Sequence, residues 1–115
     1  IIVENANGKI LFVKRKDNGN LGIPAGAFEE NETIEGCIKR EVKEETGLDI
    51  LSLEVIGISS NPKLESVEYP NGDKIQYFTV EFYSNDWEGE LKINDTDEVK
   101  NVFFKDSKVP IKPFF

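Results

Sequence analysis

The chain contains no histidine, a single cysteine and only two arginines among its 115 residues. The lone Cys37 cannot form an intrachain disulfide, which suits a reducing compartment, so we expect a cytoplasmic protein in which Cys37 is a small buried side chain. No apolar run reaches the roughly 18 residues of a transmembrane helix, so no membrane span is expected. Without histidine or a second cysteine, a metal site in this chain depends on oxygen ligands.

Acidic residues outnumber basic residues by 22 to 14, which gives a net charge of −8. This balance argues against a nucleic-acid polymer or an anionic membrane as a partner. It also repels a polyphosphate substrate, so binding one would require neutralisation by a metal ion. The length predicts a single domain over residues 1–115, with one core and no interior linker. Both ends read as incomplete, because the chain starts at Ile1 in a strand-like run and stops at Phe115 after apolar residues.

The most specific signal lies between Gly26 and Leu48. This stretch fits the pattern G-x5-E-x7-R-E-U-x-E-E-x-G-U, in which U is an aliphatic residue, at every fixed position. The fixed positions are filled by Gly26, Glu32, Arg40, Glu41, Val42, Glu44, Glu45, Gly47 and Leu48. Any one residue type fills a random position about 5–7% of the time, so a match of this length in register is not accidental.

The stretch divides into a loop followed by a helix. Thr33 is a candidate N-cap, and Gly47 is placed to end the helix in a left-handed conformation. The helix is predicted to begin near Ile34. Its apolar residues recur every four positions and predict a stripe that faces a core, formed by Ile34, Ile38 and Val42.

Three carboxylates are predicted to cluster on one flank of this helix. Glu41, Glu44 and Glu45 have i, i+3 and i+4 spacing, and the last two lie where the helix dipole disfavours negative charge. An acidic flank is ordinarily a solvated surface. The fixed loop and Arg40 favour a metal site instead, for Mg²⁺ or Mn²⁺. We expect Glu32 and Arg40 to form an ion pair that fixes the loop to the helix.

These residues resemble the signature of the Nudix hydrolase superfamily, and the resemblance extends along nearly the whole chain. The run Leu21-Gly22-Ile23-Pro24-Ala25-Gly26 is similar to the family's W-G-L-P-G-G segment. The resemblance implies an α+β protein with the Nudix α/β/α sandwich and a mixed β-sheet. It also implies an enzyme in which a divalent cation, usually Mg²⁺, helps water to cleave a pyrophosphate in a nucleoside diphosphate linked to another moiety.

The same resemblance implies roles for individual residues. Glu41 and Glu45 would be the principal metal ligands, and Ala25 would contribute its backbone carbonyl. Glu44 would be a further ligand or the base that activates water. Glu98, in the later Asp95–Glu98 segment, is the second candidate for the base, against its reading as an ordinary loop carboxylate.

Two departures from the family pattern concern the substrate. Leu21 replaces the usual tryptophan, and Ala25 replaces the first glycine of the usual pair. A Pro-Ala-Gly run is similar to Nudix branches that split ADP-ribose or related dinucleotides. The expected substrate is therefore a small nucleotide such as ADP-ribose, an ADP-sugar or a (d)NTP. The alternative is a Nudix-fold sensor that binds a nucleotide without turnover, although such domains commonly lose the carboxylates that this chain retains.

Other residues are candidates for substrate contact. With Arg40 engaged in the signature, Arg15 is left as a free guanidinium for a phosphate, or as a solvated strand end. Phe28, Tyr77 and Phe78 are candidates to stack on a purine, against the alternative that such aromatics pack in the core. A homodimer is compatible with the sequence, which leaves the oligomeric state open.

The remaining chain reads as strands and turns. Asn7-Gly8 and Asn71-Gly72 are hairpin signals. One helix among many strands predicts an α+β fold with helices on the faces of a mixed sheet. The predicted strands are 9–16, 51–59, 75–83, 91–93 and 99–104.

Overall fold

The computed structural model describes residues 1–92 and 99–107. Within them, one α-helix and eight β-strands follow one another along the chain. The elements are β1 (Ile2–Val3), β2 (Ile10–Arg15), β3 (Leu21–Gly22), α1 (Ile34–Thr46), β4 (Asp49–Ser59), β5 (Ser66–Glu68), β6 (Lys74–Gln76), β7 (Thr79–Glu88) and β8 (Val99–Lys105). No helix of the described residues is long and apolar enough to cross a membrane.

The described strands form three sheets. One has the order β1-β7-β4 and is mixed, because β1 runs parallel to β7 whereas β4 runs antiparallel to it. The second is antiparallel with the order β3-β2-β8, and the third is the small hairpin β5-β6. The prediction of an α+β fold with a mixed sheet is confirmed. The described residues supply one helical layer of the expected sandwich.

Helix α1 begins and ends where the sequence predicts. The Thr33 hydroxyl accepts a hydrogen bond from the backbone N–H of Gly36, and Gly47 ends the helix in the left-handed region with φ 84°. Ile38 and Val42 are buried, as expected. Ile34 is 43% exposed and is not part of the core, because it lies in the first turn beside the exposed cap.

The main core lies where α1 meets the mixed sheet and β2. Its buried members are Ile1, Val3, Leu11, Ile38, Val42, Leu48, Ile50 and Phe82. A smaller cluster of Val13, Val99 and Val102 joins β2 to β8. The helix therefore turns its apolar side to the strands and leaves its acidic flank and the preceding loop at the surface.

The strand predictions are partly wrong in their limits. The predicted long strand 75–83 is two strands, because Tyr77 and Phe78 interrupt it and β7 continues to Glu88. Leu91 and Lys92 are not in a strand, and Ile93 lies outside the described residues. Both hairpin signals are confirmed as turns: Gly8 and Gly72 have positive φ, and each donates a backbone hydrogen bond across its turn.

Gly47 yields a test of how the helix ends. A Cβ at this position would lie 3.0 Å from the carbonyl oxygen of Glu90, and φ is already in the left-handed region. We expect Gly47→Ala to lower the free energy of unfolding by about 1–2 kcal/mol in urea denaturation. Gly22→Ala is the control, because nothing lies within 4 Å of a Cβ there. An equal loss of unfolding free energy in the two variants would contradict this explanation of the helix end.

Candidate active site

The loop before α1 is fixed to the helix by one ion pair. The Nε and Nη2 atoms of Arg40 donate to the two carboxylate oxygens of Glu32 at 3.1 and 2.9 Å. Glu32 Oε1 also accepts the backbone N–H of Glu29 at 2.9 Å. These hydrogen bonds lower the pKa of Glu32 to about 2, with the Arg40 contact as the largest cause. The pair expected from the sequence is therefore present, and it joins the loop to the middle of the helix.

Arg40 also contacts the acidic flank of the helix. Its Nη1 atom lies 2.9 Å from Glu41 Oε1 and 3.3 Å from Glu44 Oε2. The hydrogen bonds to Glu32 and Glu41 raise the pKa of Arg40 above its ordinary value. Arg40 thus balances the negative charge of candidate metal ligands, and it also holds the loop to the helix.

Gly26 packs directly against the carboxylate of Glu41. A Cβ at position 26 would lie 2.0 Å from Glu41 Cδ and 2.3 Å from Glu41 Oε1, so any side chain here would displace the Glu41 carboxylate. The φ of Gly26 is not positive, so backbone freedom is not what this position requires. The glycine leaves room for Glu41, and it brings the backbone that follows Ala25 onto the acidic flank of the helix.

The three candidate carboxylates differ in exposure. The Glu44 side chain is 55% exposed, whereas that of Glu41 is 15% exposed. Glu45 is buried, and it lies near the backbone nitrogen of Ile1. That nitrogen donates to the carbonyl of Pro24 at 2.9 Å. Glu45 is therefore on the side of the helix that approaches the Pro24–Ala25 backbone.

The donor set fits a hard divalent cation in its chemistry. Carboxylates on one helix flank and a backbone carbonyl from the adjoining loop are the ligands that Mg²⁺ takes from proteins. Within residues 1–92 and 99–107, no group of three or more Asp, Glu or Cys side chains is arranged so that it could hold a metal ion. Glu41 and Glu44 are turned to Arg40 instead. A shared cation would replace these Arg40 contacts, which a change of side-chain rotamers allows.

Cys37 faces the loop and not the solvent. The thiol is 6% exposed and donates to the carbonyl of Ala27 at 3.5 Å. Burial raises its pKa, and the neighbouring Glu32 raises it further. A protonated, buried thiol is not a nucleophile, in agreement with the expected small buried side chain.

The candidate substrate contacts lie at the surface. Phe28 is 59% exposed in the loop two residues after Gly26. Arg15 is not free, contrary to expectation, because its Nε and Nη2 atoms contact the carboxylate of Asp17 at 3.2 and 3.1 Å. Both side chains are more than half exposed, so this ion pair contributes little to stability and another anion can replace Asp17. Glu98, the second candidate base, lies outside the described residues.

The sequence reasoning missed two members of this site. The backbone carbonyl of Ala27 accepts from Arg40 Nη2 at 3.4 Å, and the carboxylate of Glu29 lies 3.7 Å from the same nitrogen. No residue pattern could show the first contact, because any residue has a carbonyl. The contact between Arg40 and Glu44 has the i, i+4 spacing of a helical ion pair and was available from the sequence.

Comparison with known proteins agrees with this geometry. The NUDIX domain family matches residues 1–113. An ADP-ribose pyrophosphatase from Methanocaldococcus jannaschii is 37% identical over 112 residues, which are 95% of this chain and 61% of that protein. An RNA pyrophosphohydrolase from Hydrogenovibrio crunogenus is 30% identical over 97% of this chain and 74% of its own length. The crystal structure of a MutT NUDIX hydrolase from Burkholderia pseudomallei has a TM-score of 0.69 at 21% identity, covering 96% of this chain and 88% of that one.

The loop and helix that Arg40 holds together are thus the signature segment of a Nudix domain, and the chain belongs to the NUDIX family. Its α+β architecture is the Nudix fold. The chain spans less than two thirds of the length of the M. jannaschii relative.

Gly26→Ala tests the contact with Glu41. The added Cβ displaces the Glu41 carboxylate but meets only a flexible side chain, so we expect the fold to persist and Mg²⁺ affinity to fall by about 10-fold or more. Isothermal titration calorimetry with Mg²⁺ measures the affinity, and urea denaturation checks the fold. Gly22→Ala is again the matched control. Unchanged Mg²⁺ affinity in a folded Gly26→Ala protein would show that Glu41 does not bind the ion.

The Glu32–Arg40 pair predicts a specific dependence of stability on pH. Because the pKa of Glu32 falls from 4.5 to about 2 on folding, its contribution is complete above pH 4.5 and is lost as the pH falls towards 2. In Glu32→Gln we expect the melting temperature to be lower near neutral pH and to change less across this acidic range. Glu35→Gln, an exposed carboxylate on the same helix, is the control. Parallel pH profiles for wild type and Glu32→Gln would refute this role.

Proposed function

We propose that the protein hydrolyses a pyrophosphate bond in a nucleoside diphosphate linked to another moiety, with Mg²⁺ as cofactor and ADP-ribose as the first candidate substrate. The observation that carries the proposal is the packing of Gly26 on Glu41, which joins the loop backbone and the acidic helix flank in one site. Mn²⁺ is the alternative ion. The buried thiol of Cys37 supports a reducing, cytoplasmic setting as part of the same proposal.

We assign the metal-binding role to Glu41, Glu45 and the carbonyl of Ala25. A bound divalent cation would neutralise phosphate oxygens and lower the pKa of a water molecule. Glu44 is the most exposed of the three carboxylates on this flank, which suits a group that exchanges protons with water at the edge of the site. Glu98 stays the second candidate for this role.

Arg15 and Phe28 are the proposed substrate contacts. A phosphate offers Arg15 the same bidentate geometry as Asp17, and the Arg15–Asp17 pair is exposed, so a phosphate can take the place of that carboxylate. Phe28 presents an open ring in the loop that also contains Gly26, which suits stacking on a purine. The Pro24-Ala25-Gly26 run and the M. jannaschii ADP-ribose pyrophosphatase both favour an ADP-linked substrate.

Two other functions are the alternatives. The relative from H. crunogenus is named an RNA pyrophosphohydrolase, a name that specifies a polymer substrate. The net charge of −8 disfavours a polyanion and supports a small nucleotide. A sensor that binds a nucleotide without turnover is disfavoured by the retention of Glu41, Glu44 and Glu45.

Glu45→Gln tests the metal assignment. The substitution keeps the size of a buried side chain and removes its charge, so we expect kcat/KM to fall by at least about 100-fold while the far-UV circular dichroism and melting curve stay close to wild type. Glu35→Gln removes an exposed charge from the same helix and should leave kcat/KM unchanged. A folded Glu45→Gln protein with wild-type activity would overturn the assignment.

The substrate is identified by product analysis. The full-length protein is incubated with ADP-ribose, ADP-sugars, dinucleotides, (d)NTPs and an RNA with a 5′-triphosphate, with Mg²⁺ and with chelator. We expect AMP and a sugar phosphate from ADP-ribose in the presence of Mg²⁺. A nucleoside monophosphate and pyrophosphate would identify a triphosphate hydrolase instead. Tight nucleotide binding without any product would favour the sensor.

A further inference from the structure

Glu29 lies in the loop before α1, next to the proposed substrate contact Phe28. Its side chain is 67% exposed, and its Oε1 atom lies 3.7 Å from Nη2 of Arg40. Its backbone N–H is held more firmly, because it donates to Glu32 Oε1 at 2.9 Å. Glu29 is therefore fixed through its backbone, while its carboxylate lies just beyond hydrogen-bond distance of the guanidinium. The proposed function leaves this carboxylate without a role.

The guanidinium of Arg40 uses its N–H groups for other contacts. The Nε–H and one Nη2–H donate to Glu32, and Nη2 also donates to the carbonyl of Ala27 at 3.4 Å. The two Nη1–H groups donate to Glu41 at 2.9 Å and to Glu44 at 3.3 Å. All five N–H groups are thus in use, and none is left over for a further carboxylate.

Repulsion between carboxylates acts in the same direction. Glu29, Glu41 and Glu44 all contact one guanidinium group, so movement of Glu29 towards Arg40 also brings it towards the other two. Carboxylates that lie close together repel one another. The longer distance of Glu29 therefore has two causes, the donors in use and the neighbouring negative charges.

We propose that Glu29 is a positioning residue that forms a hydrogen-bonded ion pair with Arg40 when Glu41 turns from Arg40 to a divalent cation. The inference rests on the proposed metal-binding role of Glu41. Turning Glu41 away removes the shorter of the two Nη1 contacts, and the charge of Glu41 that repels Glu29 is then neutralised. Arg40 is only 26% exposed, so an N–H group without a partner there is costly. A shift of about 1 Å brings Glu29 Oε1 from 3.7 Å to the roughly 2.7–2.9 Å of a charge-assisted hydrogen bond.

The shape of the guanidinium accommodates both loop carboxylates. Glu32 binds the fork that is formed by Nε and Nη2, and a second fork is formed by Nη1 and Nη2. The carboxylate of Glu29 is already near Nη2, which belongs to both forks. Glu29 and Glu32 can therefore bind Arg40 at the same time.

The new contact would also move Phe28. Residues 28 and 29 are adjacent, so a shift of Glu29 towards α1 carries the Phe28 ring in the same direction. Phe28 is 59% exposed and is the proposed stacking partner of a purine. Cation binding at Glu41 and nucleotide binding at Phe28 then favour each other, because coupling between two binding sites is reciprocal.

Amide hydrogen exchange in the full-length protein, followed by NMR at residues 28–31, tests the proposal. Wild type, Glu29→Ala and Glu30→Ala are each measured with saturating Mg²⁺ and with chelator. We expect Mg²⁺ to slow exchange by about 2–5-fold in the wild type, the size expected for one partly exposed ion pair, and to have no such effect in Glu29→Ala. Glu30→Ala is the matched control and should respond like the wild type. Glu30 is exposed, adjacent to Glu29 and not among the carboxylates that Arg40 contacts in the described residues.

Isothermal titration calorimetry with Mg²⁺ on the same three proteins separates the possible failures. A wild type that binds no Mg²⁺ would overturn the proposed metal site and this inference with it. Mg²⁺ binding without slower exchange in the wild type would overturn only the movement of the loop. Equal slowing in the wild type and in Glu29→Ala would overturn the role of Glu29, as would an equal loss of the response in Glu30→Ala.

Discussion

The guanidinium of Arg40 is the group that joins the loop before the helix to the acidic flank of the helix. It contacts the carboxylates of Glu32, Glu41 and Glu44, and Glu29 lies slightly farther away. Carboxylates placed so near one another repel unless a cation lies between them. Arg40 is only 26% exposed, so its charge acts with less screening than that of a surface arginine. The protein thus has an internal cation beside the carboxylates that are proposed to bind a metal ion.

This arrangement explains how an acidic chain keeps an acidic site folded. The excess of eight negative charges leaves no general electrostatic attraction to hold Glu41, Glu44 and Glu45 on neighbouring turns. The two arginines have different surroundings. Arg40 pairs with Glu32 inside the candidate active site, whereas Arg15 pairs with Asp17 at the surface. Arg40 therefore places a positive charge where these carboxylates are closest.

Sequence reasoning works best where spacing alone determines contact. The helix from Ile34 to Thr46, its cap at Thr33 and the Glu32–Arg40 pair follow from fixed offsets along the chain. It fails where an apolar residue lies in the first turn of the helix beside an exposed cap, as at Ile34, and where a strand is interrupted without a proline or glycine, as at Tyr77 and Phe78. Arg15 was predicted to be free, but it pairs with Asp17 two residues along the chain, in the turn that follows β2.

The close approach of Gly26 to Glu41 links two positions that are distant in the sequence. Fourteen residues separate them along the chain, yet a side chain at position 26 would occupy the space that the Glu41 carboxylate now fills. An alanine there would leave the fold intact but would push the carboxylate to another position. The residue at position 26 therefore sets where the acid of position 41 can lie.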